Sequence, residues 1–285
     1  MAKTYSQLYI ATRKAFREAG IEARSLEARI ILAHASGKTT EKLLRDMSLY
    51  TSDEVERKLD ALVERRLAGE PVAYITGSWE FYGLPLEITP DVLIPRADTE
   101  VAVDKALELL GGKVPDARIL DLCTGSGCIG CAIASQLPAS RAVLIDISEA
   151  ALEVAKRNIR LNDLSSRVVC VQSDVTEPPP LRLGSFDLII SNPPYIETNE
   201  IPTLDSSVKD FEPHLALDGG NDGLDFYRII LDKWKDLLRQ SGHIVFEVGE
   251  TQAEDVAFLM RLKGFRNVTV TKDTAGHDRV VSGKL

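Results

Sequence analysis

The chain has 285 residues, 44% apolar and 27% charged, which suits a water-soluble globular protein with one large domain or two modest ones. No apolar run reaches membrane-spanning length and the N-terminus lacks the unbroken apolar core of a secretory signal, so a cytoplasmic protein with no membrane partner is expected. Residues 1–70 carry 13 Lys and Arg against 11 Asp and Glu, leaving 21 against 32 and a net charge of −11 in the remainder, which argues against direct nucleic-acid binding there.

Residues 1–70 read as short helices: Tyr5–Ala19 up to Gly20, Leu26–Ala35 after Ser25, Thr40–Met47, and a fourth that opens at Thr51. Thr51-Ser-Asp-Glu54 has the form of a capping box, and Val55, Leu59, Leu62, Val63 and Leu67 make an apolar stripe before Gly69 and Pro71. Residues 71–95 change character. Trp79-Glu-Phe-Tyr82, Gly83 and Leu84-Pro-Leu-Glu-Ile88 predict a β-hairpin or extended linker. A helix from near Asp98 to Leu110 follows.

From Arg118 strands and helices alternate. The expected strands are Ile119–Leu122, Ala142–Ile145, Val168–Val171, Asp187–Ser191, His243–Val248, Val268–Thr271 and Arg279–Ser282. The expected helices are Cys128–Leu137, Glu149–Leu161, Leu224–Gln240 and Gln252–Leu262. Such alternation predicts an α/β fold, a mostly parallel sheet covered by helices on both faces. The cysteines at 123, 128, 131 and 170 coincide with a plant-type iron–sulfur spacing, but they fall in helix-like and strand-like segments, where cysteine acts as a small hydrophobe. No metal is expected.

In open α/β sheets ligands lie beyond the carboxyl ends of the strands. Three features end there: Asp121-Leu-Cys-Thr-Gly-Ser-Gly127, Asp146 and Asn192-Pro193-Pro194-Tyr195. Gly125-x-Gly127-x-x-Gly130 with Asp146 also satisfies a dinucleotide pattern. Asp121, however, would place negative charge beside a diphosphate, whereas a cationic ligand would suit that loop. The Asn192 side-chain oxygen and the Pro193 carbonyl can accept both N–H bonds of a planar NH2 group, with Tyr195 offering a flat face. Acid, glycine loop, second-strand acid and clamp together describe an S-adenosylmethionine site beside a target nitrogen.

On these residues the chain resembles the class I methyltransferases. With PVAYITGSWEFYGLPL (71–86), LIPRADTE (93–100), LDLCTGSGCIG (120–130), IISNPPYI (189–196), FEPHLALDGGNDGL (211–224) and FEVGETQ (246–252), it resembles more narrowly the bacterial release factor glutamine methyltransferases, the PrmC or HemK family. The resemblance implies a helical substrate-docking domain (1–70), a hairpin linker (71–95) and a Rossmann-like methyltransferase domain (96–285) with a mostly parallel seven-stranded sheet whose last strand is antiparallel. It implies S-adenosylmethionine as methyl donor and the glutamine of the Gly-Gly-Gln tripeptide of release factors as substrate.

Carried over by position, Asp121 and Cys123, Thr124, Gly125, Ser126 and Gly127 would serve the cofactor's methionine part, Asp146 its ribose, and Asp174 and Val175 its adenine. Asn192 would meet both cofactor and substrate, with Pro193, Pro194 and Tyr195 completing the clamp. Two positions depart from the family pattern: Cys123 replaces a usual glycine and Ala97 a usual proline. A cysteine is harmless at negative φ and restrictive in left-handed geometry. Gly219, Gly220 and Gly223 read as ordinary turn glycines. The other readings are an adenine-N6 DNA methyltransferase, which uses a similar clamp on a flipped base, and a nucleotide-binding protein without chemistry.

Overall fold

The computed structural model describes residues 3–114 and 116–285. They fall into two compact units, Met1–Gly77 and Ser78–Leu285.

The first unit is helical. Helix α1 (Tyr5–Glu18) begins with a capping box in which the Thr4 hydroxyl accepts from the Gln7 amide and the Gln7 side chain accepts from the Thr4 amide. Helices α2 (Arg24–Ser36), α3 (Thr40–Arg45), α4 (Asp53–Leu67) and α5 (Val72–Thr76) follow. They bury Leu8, Phe16, Ile31, Leu32, Leu43 and Leu59 in one core. The box expected at Thr51 is not formed. Ser52 caps α4 instead, accepting from Val55 N, while the Thr51 hydroxyl donates to Lys3 O at 2.9 Å. Ser and Thr stand side by side there, and burial of Thr51 decides between them.

The second unit opens with a hairpin, β1 (Ser78–Phe81) and β2 (Leu84–Glu87), turned by Tyr82 and Gly83, both with positive φ. A 3-10 turn (Ala97–Thr99) leads into α6 (Glu100–Leu110). Ala97 opens that turn, where proline is readily accommodated in a helical start, so the departure from proline leaves the entry intact. Then come β3 (Arg118–Leu122), α7 (Cys128–Gln136), β4 (Arg141–Asp146), α8 (Glu149–Leu161), β5 (Val168–Gln172) and β6 (Phe186–Ser191). The chain ends with α9 (Ser206–Lys209), α10 (Asp225–Lys233), β7 (Leu238–Glu247), α11 (Ala253–Leu262), β8 (Arg266–Lys272) and β9 (Asp278–Lys284).

The sheet order is β5-β4-β3-β6-β7-β9-β8, parallel except for β9, which runs antiparallel to both neighbours. Strand alternation sorts the core. Leu120, Leu122, Ile189, Ile244 and Phe246 join Tyr227, Leu231, Val256 and Met260 of α10 and α11 in one cluster. Asp121, between Leu120 and Leu122, and Leu144 on β4 turn to α7, where a Cβ added at Gly130 would stand 2.2 Å from Leu144 Cδ2 and 3.1 Å from Asp121 Oδ2.

The helix expected over Leu224–Gln240 stops at Lys233. The Trp234 indole is buried and donates to Val175 O at 2.8 Å, a 3-10 turn (Lys235–Leu237) follows, and Leu238 already pairs with Phe186. Pairing is irregular until Leu188 meets His243, so the intervening residues bulge and the apolar pattern reads as a continuing helix.

Candidate active site

The site is set by a reversal of strand order. Neighbouring strands β3 and β6 end together at Leu122 and Ser191, and the Ser191 hydroxyl donates to Leu122 O at 2.7 Å. Chains leaving the two strands go to different helices, which opens a crevice at their carboxyl ends. The Cys123–Gly127 loop lies at its base, with Cys123 and Gly125 facing it. The Thr124 amide donates to Ile145 O at 2.9 Å and the Gly125 amide to Asp146 Oδ2 at 2.8 Å, so the loop is tied across to β4.

Asp121 is fully buried and does not line the crevice. Its Oδ2 accepts from Thr124 Oγ1 at 2.6 Å and Gly130 N at 3.0 Å, bracing the loop against α7, and Oδ1 has no hydrogen-bond partner among the described residues. Burial pushes its carboxyl up to about 7. Contrary to expectation, Asp121 therefore sets no charge against a diphosphate and acts behind the loop. Ser126 and Thr124 are buried with it, and the Ser126 carbonyl accepts from Asn158 Nδ2 at 2.9 Å. Asn158, itself buried on α8, also pairs with the backbone of Glu87 and so ties the loop to the hairpin. A lone helical asparagine gave no signal of this in the sequence.

The cleft above the loop encloses about 210 Å³. Cys123, Gly125, Asp146, Asp174, Val175, Asn192 and Pro194 line it, seven of the expected site residues. Asp121, Thr124, Ser126, Gly127, Pro193 and Tyr195 do not. The walls also include Leu93, Ile147, Leu215 and Phe226, apolar positions that carry no motif and come together only in three dimensions. The charged lining residues are Asp91, Asp146 and Asp174, with no Lys, Arg or His beside them. A cleft of that kind repels polyphosphate and receives a cation or hydroxyl donors, so Asp91, Asp146 and Asp174 supply the negative charge expected of Asp121. Asp146 Oδ1 accepts from Ser148 N at 3.0 Å, which orients the carboxylate, and burial raises its pKa.

Residues after β6 are held by a second segment. Ile196 bridges Asp218 in parallel, with Ile196 N donating to Leu217 O at 3.0 Å and Gly219 N to Ile196 O at 2.8 Å. A Cβ at Gly219 would stand 2.6 Å from Tyr195 Cα, and one at Gly223 would stand 2.3 Å from Tyr195 O. These are positions of close backbone approach rather than ordinary turn glycines, a distinction that composition cannot make. Gln252 closes the arrangement: its Nε2 donates to Tyr195 O at 2.9 Å and its Oε1 accepts from Gly249 N at 3.0 Å. Glu212, buried, accepts from Ile94 N at 3.1 Å and pairs with Arg96, joining the segments on either side of the cleft. Tyr195 is half-buried, and desolvation pushes its phenol up to about 12.

Cys123 takes φ +58°, the left-handed geometry that favours glycine. Relieving it should gain about 1–2 kcal/mol. Cys123→Gly offsets that with about 0.4–1 kcal/mol of unfolded-chain entropy and the loss of a thiol packed on the core. Near-neutral stability is therefore expected for Cys123→Gly, read as a melting temperature within a few degrees of the parent. Cys123→Val, β-branched and pointing at the cleft, should lower both stability and cofactor affinity.

This strand order with its antiparallel last strand, and an acid-lined cleft between glycine loop and Asn-Pro-Pro-Tyr, define a Rossmann-like methyltransferase. Residues 7–77 match the family described as PrmC N-terminal domain, and residues 99–219 match the methyltransferase small domain. The release factor glutamine methyltransferase of Geobacter sulfurreducens is 40% identical over 96% of this chain and 94% of its own length. The protein of the same name from Moorella thermoacetica is 42% identical over 91% of each chain. Among solved structures, the hMettl16 catalytic domain in complex with a MAT2A 3′UTR hairpin aligns over 81% of each chain with TM-score 0.58 and 19% identity, a likeness of fold. The chain belongs to the release factor glutamine methyltransferase family.

Proposed function

We propose that this protein transfers a methyl group from S-adenosylmethionine to the side-chain amide nitrogen of the glutamine in the Gly-Gly-Gln tripeptide of bacterial release factors. The observation that carries the reading is the cleft: acidic, free of cationic lining residues, and ending at Asn192. Its chemistry fits the donor, which is a sulfonium cation carrying a ribose diol and a purine. Bound there, it supplies an electrophilic methyl group.

Asp146 is the acceptor for the ribose hydroxyls, already aimed by Gly125 N and Ser148 N. Asp174 and Val175 flank the adenine. The Cys123–Gly127 loop serves the methionine part, with Asp121 bracing it from behind. Asn192 Oδ1 and the Pro193 carbonyl accept the two N–H bonds of the target amide. An amide nitrogen is a poor nucleophile because its lone pair is delocalised, and acceptors placed at those hydrogens favour the pyramidal, positively charged nitrogen of the transition state. Pro194 and Tyr195 complete the clamp. The S–methyl bond breaks as the N–methyl bond forms, the sulfonium leaves as the neutral thioether S-adenosylhomocysteine without Lewis-acid assistance, and the methylated nitrogen then loses its extra proton to solvent, so no metal enters the proposal.

In the same reading residues 1–70 dock the protein substrate, residues 71–95 connect, and residues 96–285 carry the chemistry. The protein works in the cytoplasm, where translation terminates, without binding nucleic acid directly. Among the described residues no helix is long and apolar enough to cross a membrane.

A methyl-transfer assay with labelled S-adenosylmethionine tests the reading. The substrates are a release factor with its Gly-Gly-Gln intact, the same factor with Gly-Gly-Ala, and unmethylated duplex DNA. Label is expected on the intact factor alone, at the glutamine side chain. Label on DNA would show that the clamp accepts an adenine amino group and that the substrate assignment is wrong.

A further inference from the structure

Two buried side chains outside the cleft lead to Asn192. Its Nδ2 donates to Thr99 Oγ1 at 3.5 Å, and the Thr99 hydroxyl faces the buried carboxyl of Glu247 at the end of β7, close enough to favour its charged form. Thr99 and Glu247 are each 2% exposed, and neither lines the cleft. Glu247 Oε2 has no hydrogen-bond partner among the described residues, an expensive arrangement for a residue with only a structural duty.

The order of donors matters. A carboxylate only accepts, so beside ionised Glu247 the Thr99 hydroxyl gives its proton there. The Thr99 oxygen is then left with lone pairs alone on the Asn192 side, which attracts Asn192 Nδ2 and repels Oδ1. An asparagine carboxamide has two orientations related by a flip, and only one presents Oδ1 to a target amide. We propose that Thr99 and Glu247 are positioning residues, a directed hydrogen-bond chain that keeps Asn192 Oδ1 turned to the substrate nitrogen. The proposal rests on the methyl-transfer reading above.

Direction in such a chain depends on charge at its end. Protonated Glu247 becomes a donor, frees the Thr99 proton to turn toward Asn192, and makes the flipped amide equally acceptable. The groups facing Glu247 are Arg96 and Asp98 before α6, Cys128 on α7, Tyr195 after β6, Tyr227 on α10 and Arg279 on β9. Arg279 is shared with Asp273 at 3.2 Å and Asp98 at 3.7 Å, which dilutes its hold on Glu247. Burial wins, and the Glu247 carboxyl is pushed up to about 7. Turnover should therefore fall as pH drops through that value.

Stability moves the opposite way. A carboxyl raised on folding makes the folded state bind the proton more tightly, so this group's contribution is complete below the ordinary carboxylate range and is lost as pH rises through about 7. Acidification from pH 8 to 6 thus disables the chain while strengthening the fold, which separates the effect from unfolding.

The test compares wild type, Thr99→Val, Thr99→Ser and Glu247→Gln. Thr99→Val should lower kcat about tenfold with little change in either KM, the size of one lost positioning bond. Thr99→Ser should restore it, and Glu247→Gln, which still accepts but does not titrate, should remove the acid limb of kcat. Nitrogen-15 spectra of the Asn192 side-chain amide read the chain without turnover: its signals should titrate near pH 7 in wild type and not in Thr99→Val. Wild type inactive on release factors would sink the functional reading, while the amide spectra still decide the chain. Thr99→Val with wild-type kcat, or Asn192 amide signals indifferent to both pH and Thr99→Val, would overturn the inference.

Discussion

Replacing Asn192 by alanine is expected to lower turnover at least about a hundredfold while leaving cofactor binding partly intact. The Asn192 side chain is half-buried, lines the cleft, and makes a single long hydrogen bond, to Thr99 at 3.5 Å, so its truncation should leave the fold nearly as stable. In the proposed mechanism its value lies in the transition state. As the target nitrogen turns pyramidal and gains positive charge, the bond to an oxygen acceptor strengthens, and loss of one such group typically costs about 10²–10³ in kcat. Cofactor affinity should drop modestly because Asn192 forms one wall of the cleft among many. The measurements are single-turnover methyl transfer to a release factor and calorimetric titration of S-adenosylmethionine. A variant with unchanged single-turnover rate would remove the clamp from the mechanism. Asn192→Asp sharpens the comparison: it keeps an acceptor but sets a carboxylate against the lone pairs of Thr99, so it too should be impaired.

The site was legible where chemistry and chain order coincide. Asp146 ends β4 and Asn192 directly follows β6, and polar residues at the carboxyl edge of a parallel sheet stand where the ligand crevice opens. Asp121 shows the limit. It lies one residue before the end of β3, and strand alternation turns it to α7 instead of the cleft. Its place in the motif was visible, its direction was not. Thr99, Glu247 and Gln252 stand in segments that carry the family resemblance, yet their contacts, like those of Asn158, were not legible for another reason. Each works through a partner 29 to 148 positions away in the sequence, such as Gln252 with Tyr195 or Thr99 with Glu247, and no local pattern encodes such a pair. The same holds for the helix overrun at Leu224–Gln240, where the stop is set by Trp234 reaching Val175 and not by a breaker residue.

Gly219→Ala is the second large effect, and it is expected to disable the enzyme through the backbone. The new Cβ would stand 2.6 Å from Tyr195 Cα, 2.8 Å from Tyr195 C and 2.9 Å from Pro194 O. No flexible side chain can give way, since every one of these atoms is main chain. Nor can the two segments part freely, because Gly219 N to Ile196 O and Ile196 N to Leu217 O hold them at 2.8 and 3.0 Å. Either both bonds break, at about 1 kcal/mol each, or the Pro194–Tyr195 backbone shifts by a large part of an ångström. A shift of that size in a positioning segment costs about 10²-fold in turnover, and the overpacking itself about 1–3 kcal/mol of stability. Gly264→Ala serves as the contrast: Gly264 has φ +93° but nothing within 4 Å of an added Cβ, so it carries conformational strain alone. Thermal melts should show both variants destabilised, whereas turnover should collapse only in Gly219→Ala. Equal turnover in the two would mean that the clamp tolerates displacement and that its acceptors are not held to the geometry argued here. Loss of turnover in Gly219→Ala with S-adenosylmethionine affinity retained would assign the damage to the side of the cleft proposed for the substrate, lined by Pro194 and Asn192.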